Sequence, residues 1–187
     1  MIVDDVGRWL LGLAARSAPP ELAGPAVGTT AAHRLGALLD EALAQSTQEA
    51  GDALLDALVR GLVPDEARVV AALAARGWSP LVHVEARRDG EDHLGLRNAS
   101  LIGRQAGVAL VRRTPFYVTR LLASGLVATT PERPERAEEY EVLLAEPDVL
   151  DAIRAAGRGP VGPRIRRGGL VLSDLGLQLW SSRQASG

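Results

Sequence analysis

Apolar residues recur every three or four positions along most of this chain, and every second position in one short segment. The first spacing predicts amphipathic helices over residues 2–16 and 31–59. It returns between Pro64 and Gly77, where a proline start and a glycine end are typical of a helix. The period of two over residues 81–86 predicts a strand, and Arg88-Asp89-Gly90 reads as the turn after it.

Two short helices and a strand are predicted next. Asn98 or Ser100 can cap a helix that ends at Gly107, and Thr114-Pro115 is a cap followed by a helix-starting proline. The second helix points Leu121, Leu122 and Leu126 at the core, together with Phe116, and leads into a strand near Val127. A return strand is predicted only from about residue 164, and Ser173 caps a last helix.

The order helix, strand, helix, helix, strand, strand is that of a winged helix-turn-helix. A short helix from Pro147 to Gly157 separates the last two strands, which we interpret as an insertion in the wing. The predicted fold is therefore helix-rich α+β, with a winged-helix-like domain at residues 62–182. Residues 1–61 form an N-terminal helical extension and 183–187 a tail. This fold can bind DNA or protein, so it does not settle the function.

The helix over residues 31–59 would be roughly 40 Å long at 1.5 Å per residue. Small and apolar residues alternate along it in steps of four and three, which indicates a dimerising coiled coil and hence a homodimer. The alternative is a helix that lies across the domain, because alanines and one serine make a weak seam. The positions of this seam are Leu35, Leu39, Ala42, Ser46, Ala50, Ala53 and Ala57.

Composition narrows the class of protein. Apolar residues make up 47% of the chain and charged residues 24%, as in ordinary globular proteins. No uninterrupted apolar segment approaches the roughly 18 residues of a membrane span, and the N-terminus does not resemble a secretory signal. We therefore expect a cytoplasmic protein. All 21 basic residues are arginine, which suggests a GC-rich, prokaryotic genome.

The placement of charge points to a candidate binding surface. Residues 104–120 and 158–168 each carry four arginines and no acid, on the predicted helix-turn-helix and wing. In the alternative interpretation, these arginines pair internally with the acidic segment 132–151. The residues predicted to contact a nucleic-acid backbone or a partner protein are Arg104, Arg112, Arg113, Tyr117, Arg120, Arg164, Arg166 and Arg167.

Few residues suggest catalysis. There is no cysteine, and the three histidines, His33, His83 and His93, are scattered over a predicted helix, a strand and a loop. The chain has no lysine, so it has no P-loop, and Ser100 and Ser173 lack the setting of a nucleophile elbow. We therefore expect no metal, no cofactor and no enzymatic activity.

Four short motifs lie within roughly Leu62 to Trp180. They are Pro64-Asp65-Glu66-Ala67-Arg68, Ser100-Leu101-Ile102-Gly103-Arg104, Tyr140-Glu141-Val142-Leu143-Leu144 with Pro147, and Leu172-Ser173-Asp174-Leu175-Gly176. Together they resemble the Abi-alpha (abortive infection alpha) family of bacterial proteins. The resemblance implies a role in defence against bacteriophage, without a settled biochemical activity.

We expect a non-enzymatic protein that binds a partner protein or nucleic acid. The alternatives are a winged-helix transcriptional regulator and a hydrolase whose site the sequence does not reveal.

Overall fold

The computed structural model describes residues 27–88, 91–157 and 162–185. The helix predicted over 2–16, the tip of the turn at Asp89-Gly90, and Arg158 of the second arginine cluster lie outside these ranges. The chain divides into two compact units, Met1–Ala50 and Gly51–Gly187.

Two helices replace the long one predicted over 31–59. Helix α1 spans Val27–Ala44 and helix α2 spans Thr47–Arg60. A capping box separates the two helices: Glu49 donates its N–H to Oγ of Ser46 at 3.3 Å, and Ser46 donates its N–H to Oε2 of Glu49 at 2.8 Å. The prediction of one continuous helix was therefore wrong, because Ser46 caps the start of α2 instead of occupying a seam position.

A helix and a β-hairpin follow. Helix α3 spans Pro64–Arg76 and ends at Gly77, whose φ of 75° is left-handed. Strand β1, Ser79–Arg88, pairs antiparallel with β2, Glu91–Ser100. Strand β1 was predicted but β2 was not. The polar residues and the glycine of β2 have low strand propensity, so this strand forms because it pairs with β1.

The third part of the chain contains the predicted pair of helices. Gly107 has a left-handed φ of 62°, as expected at the end of a helix. Ser100 accepts the N–H of Ile102 on its Oγ at 3.2 Å, but Leu101 is the residue that precedes the helix, and Asn98 and Ser100 both lie within β2. The prediction that one of them caps this helix was therefore wrong. The elements are α4, Ile102–Gln105; a 3₁₀ turn, Val111–Arg113; α5, Thr114–Ala123; and β3, Val127–Thr130.

The segment predicted as an insertion is helical, and the chain then returns to the sheet. The prediction of a short helix after Pro147 and a strand from residue 164 is confirmed. A 3₁₀ turn at Pro134–Arg136 precedes α6, Ala137–Leu144, and α7, Pro147–Ala156. They are followed by β4, Arg164–Leu172, and α8, Asp174–Ala185.

The four strands form one antiparallel sheet in the order β2-β1-β4-β3. On its first face, Leu81 and Leu170 pack with apolar residues of α3 and α5. On its second face, Val82 and Val84 pack with apolar residues of α6 and α7. Because strand side chains alternate between faces, the segment between β3 and β4 can bury what would otherwise be an exposed apolar face. It is a layer of the domain, not an appendage.

Helix α5 faces the core with a phase that differs in part from the prediction. Val118 and Leu121 are fully buried, as is Leu126 after the helix. Tyr117 is only 6% exposed, whereas Phe116 is 51% exposed, so the prediction that Phe116 lies in the core was wrong. Within the described residues, no helix combines the length and the apolar character that crossing a membrane requires.

Candidate functional site

A groove of about 350 Å³ runs between α4 and α5 on one side and α6 and α7 on the other. Its size lies at the lower end of the range for ligand pockets. Ala99 and Leu143 are buried at its base, and Val111 is 38% exposed at its mouth. The apolar lining consists of Leu96, Ala99, Leu101, Val111, Pro115, Leu143 and Pro147.

Two arginine–carboxylate pairs form the rim of this groove. Arg104 donates from Nε and Nη2 to Oε2 of Glu146 at 3.0 and 2.8 Å. Arg112 donates from Nη2 and Nε to Oδ1 of Asp148 at 2.8 and 3.1 Å. These hydrogen bonds raise the pKa of both guanidinium groups, with the carboxylate charges adding to the effect. The rim is therefore charged but locally neutral.

The two carboxylates are held in place by the start of α7. Glu146 is the extended residue before Pro147, and Asp148 lies in the first helical turn, where the helix dipole favours an acid. Leu143 before this junction and Val149 after it are both buried in the core of the second face. The packing therefore fixes the backbone that carries both carboxylates, while the Arg112–Asp148 pair itself stays largely exposed to solvent.

Asp65 holds the other wall of the groove in place. Its carboxylate accepts the N–H groups of Ala109 and Leu110 at 2.9 and 3.1 Å, and the hydroxyl of Tyr117 at 3.2 Å. The hydrogen bond from the N–H of Ala109 is the main cause of the lowered pKa of Asp65. Burial and the hydrogen bond to the Asp65 carboxylate raise the pKa of Tyr117. Asp65 thereby joins α3 to the turn before α5. The sequence showed only an acid in the first turn of a helix.

The other predicted binding residues do not join Arg104 and Arg112. Tyr117 is buried against Asp65, so it is not on the surface. Arg120 donates to the carbonyl oxygen of Gly61 at 2.6 Å and lies 2.8 Å from the carboxylate of Glu66. Its site is the corner between α2 and α3, not the groove.

The arginines of β4 lie on opposite faces of the sheet. Arg167 lies 3.5 Å from Glu132 and 3.9 Å from Glu141, next to the second face. Arg166 lies 3.3 Å from Glu85 on the first face. Arg113 and Arg164 are exposed and form no ion pair with any residue in the described ranges. Internal pairing with the acidic segment 132–151 is thus confirmed for Arg104, Arg112 and Arg167.

Potential metal ligands do not cluster in the part of the chain that the structure describes: no three histidine, aspartate or glutamate side chains are grouped so that they could hold a metal ion. The absence of a cofactor and of enzymatic activity remains a prediction.

The fold and the groove define a helix-rich α+β protein with an amphipathic cleft beside its sheet. The chain belongs to the abortive infection alpha family, whose model matches residues 14–182. This match extends further towards the N-terminus than the resemblance that begins near Leu62, and it indicates an abortive-infection-type role.

One solved structure is similar to most of the chain. It is described as the structure of the uncharacterized protein from the hydrocarbon-degrading marine bacterium Alcanivorax borkumensis SK2. The two sequences are 29% identical, the match covers 73% of this chain and 96% of that one, and the TM-score is 0.58. No protein with a curated description matches the chain significantly.

Proposed function

We propose that this protein acts in abortive-infection-type defence as a non-enzymatic binding module that holds a segment of a partner protein in the groove between α4–α5 and α6–α7. The observation that carries this proposal is the combination of an apolar floor with a rim whose charges are already paired. Protein interfaces commonly have an apolar centre surrounded by a polar rim. An apolar side chain of the partner would fill the floor, and polar groups beside it would bond to the rim.

The same rim disfavours a polyanion in this groove. A nucleic-acid phosphate gains affinity mainly by pairing with free arginine or lysine side chains. Arg104 and Arg112 would first have to leave Glu146 and Asp148, and the freed carboxylates would then repel the phosphate. A neutral or mixed-charge protein segment meets no such cost.

We further propose that the domain is built on a winged-helix arrangement. Three strands are neighbours in the sheet, in the order β1-β4-β3, and along the chain α4 and α5 come after β1 and before β3. This arrangement supports the interpretation. Helix α5 would be the recognition helix of such a domain. A transcriptional regulator that reads duplex DNA is therefore the second candidate. Few base-reading side chains are available on α5, where Phe116, Thr119, Arg120 and Ala123 are exposed.

The proposal is tested with a plaque assay on cells with and without the gene, together with two matched variants. Val111→Asp places a charge at the mouth of the groove, and Leu110→Asp makes the same change at the neighbouring residue, which is 58% exposed and does not line the groove. We expect the native gene and Leu110→Asp to reduce plaque formation, and Val111→Asp to lose this protection while its melting temperature stays that of Leu110→Asp.

Two results would contradict the proposal in different ways. If the native gene gives no protection against any phage of a broad panel, the defence role is wrong. If Val111→Asp protects as well as Leu110→Asp, the groove is not the partner site. A photo-crosslinking residue at position 111 should give a protein adduct in infected cells that the same residue at position 110 does not give.

A further inference from the structure

Strand β2 contains a β-bulge on the side of the sheet that faces α5. Val82 pairs with Ala99 and Val84 with Leu96, so Arg97 and Asn98 together lie opposite the single residue His83. Asn98 is the one non-glycine residue with positive φ in the described ranges, at 58°. Bulges and left-handed residues have a cost, and both occur preferentially where a side chain must be directed to a particular place.

The bulge connects β1, β2 and α5 through two hydrogen bonds. Asn98 donates its backbone N–H to Nδ1 of His83 at 3.1 Å, and its side-chain Nδ2 to Oγ1 of Thr119 at 2.8 Å. Burial and the neighbouring Arg166 and Arg97 lower the pKa of His83. The imidazole is therefore neutral near pH 7, and its Nε2 carries the proton and remains a donor.

Arginines surround this network on the same face of the sheet. His83 pairs across the sheet with Arg166, and Glu85 pairs with Arg164, so these four side chains share one face. The buried carboxylate of Glu85 lies 3.3 Å from Arg166. Arg97 and Arg164 are exposed and have no ion pair with any residue of the described part of the chain. Among the side chains that the structure describes on this face, Arg97, Arg164 and Arg166 thus face the single carboxylate of Glu85, unlike the neutral rim of the groove.

The same surface continues onto an exposed aromatic ring. Phe116 is 51% exposed and lies one helical turn before Thr119, so the two residues share a face of α5. The path from Phe116 through Thr119, Asn98 and His83 to Arg166 is connected by this turn, by the two hydrogen bonds and by strand pairing. The arginine beside its ring is Arg120, whose guanidinium carbon lies 5.9 Å from the ring centroid, and a half-exposed phenylalanine with a cation beside it is a suitable surface for stacking a base.

We propose that this surface, defined by Phe116, Thr119, Arg97, His83, Arg166 and Arg164, binds single-stranded nucleic acid. Arg97 and Arg164 form no ion pair within the described residues and are therefore free to contact phosphates, whereas Arg166 stays paired with Glu85 and adds its charge to the surface. Phe116 stacks on an unpaired base, which a duplex does not offer. The proposal is independent of the partner groove, because none of these side chains lines it.

The test measures the fluorescence anisotropy of labelled 20-nucleotide oligothymidylate and oligouridylate, and of a duplex of equal length, over a range of salt concentrations. We expect the single strands to bind, with an affinity that falls with salt by a slope of about −0.7 per phosphate contact. Arg97→Ala with Arg164→Ala should reduce the magnitude of this slope by about 1.4. Phe116→Ala should weaken binding by about fivefold or more and leave the slope unchanged.

A double variant with the same loss of charge is the control. Arg76 and Arg154 are also exposed, on α3 and α7, and Arg76→Ala with Arg154→Ala should bind like the native protein. The proposal is overturned if the native protein does not bind single strands at low salt, or if the control weakens binding as much as the test pair. It is also overturned if the duplex binds more tightly and Phe116→Ala has no effect. None of these results depends on the plaque assay.

Discussion

Gly176 in the first turns of α8 allows a close approach of that helix to the end of α5 and the start of β3, and its replacement by alanine is the sharpest test of the packing. A Cβ atom on Gly176 would overlap the carbonyl oxygen of Leu126 and would lie 3.1 Å from its carbonyl carbon. Leu126 is fully buried, and its carbonyl oxygen accepts the N–H of Ser173 at 3.1 Å. The obstacle is therefore backbone, which cannot rotate away as a side chain can.

Two effects of opposite sign determine the expected change in stability. Alanine favours a helix over glycine by about 1 kcal/mol. Overpacking in a well-packed core costs about 1–3 kcal/mol, and more where the obstacle cannot move. We expect the second effect to exceed the first, so that Gly176→Ala lowers the free energy of unfolding by about 1–2 kcal/mol. In a domain of this size, that corresponds to a decrease of roughly 2–8 °C in melting temperature.

Gly51→Ala in α2 is the matched control, because a Cβ atom there meets nothing within 4 Å. This variant should be stabilised by up to about 1 kcal/mol, since only helix propensity acts on it. Urea unfolding followed by circular dichroism measures both variants. If Gly176→Ala is as stable as Gly51→Ala, the close packing of α8 against the backbone of Leu126 is wrong.

Three further predictions concern the core, the buried aspartate and the N-terminal helices. Leu121→Ala should cost roughly 2–5 kcal/mol, whereas Leu110→Ala should cost under about 0.5, and equal melting temperatures would contradict the phase of α5. The folded state lowers the pKa of Asp65, so its ionised carboxylate stabilises the fold. This contribution to the free energy of unfolding is complete at pH values above the ordinary aspartate pKa of about 3.9, and it is lost as the pH falls through the lowered pKa. Asp65→Asn should therefore be less stable at neutral pH and show a flatter loss below about pH 4 in urea titrations; an unchanged pH profile would refute this. Leu39 is 62% exposed on α1, and if this helix forms a homodimer, Leu39→Asp should give a monomer by sedimentation. A native protein that is already monomeric at micromolar concentration would exclude the dimer.

Most helices and three of the four strands could be predicted because their signals are local. Pro64 and Gly77 mark the ends of α3, Thr114-Pro115 begins α5, and the period of two identifies β1. The capping box at Ser46 was also present in the sequence, but the apolar repeat on either side suggested continuity. A capping box can begin a new helix even where the apolar repeat continues across it.

Other features could not be predicted because they depend on long-range contacts. Strand β2 has little intrinsic preference for its conformation and forms because β1 is beside it. Tyr117 lies one helical turn before the buried Leu121, so helical spacing already favours it over Phe116 for the inner face of α5. The bond from its hydroxyl to Asp65 on α3 is a long-range contact that no spacing within α5 contains.

The sequence by itself determined the helix-rich α+β class, the helical segment between β3 and β4, and the concentration of arginine in two segments. Only the tertiary structure decided what those arginines do. Arg166 and Arg167 are neighbours in sequence, but strand alternation directs them to opposite faces of the sheet. Arg104 and Arg112 meet Glu146 and Asp148 because α6 and α7 must bury their apolar residues against the second face. Charge along a chain is a local property, whereas the partner of each charge is set by how the apolar faces pack.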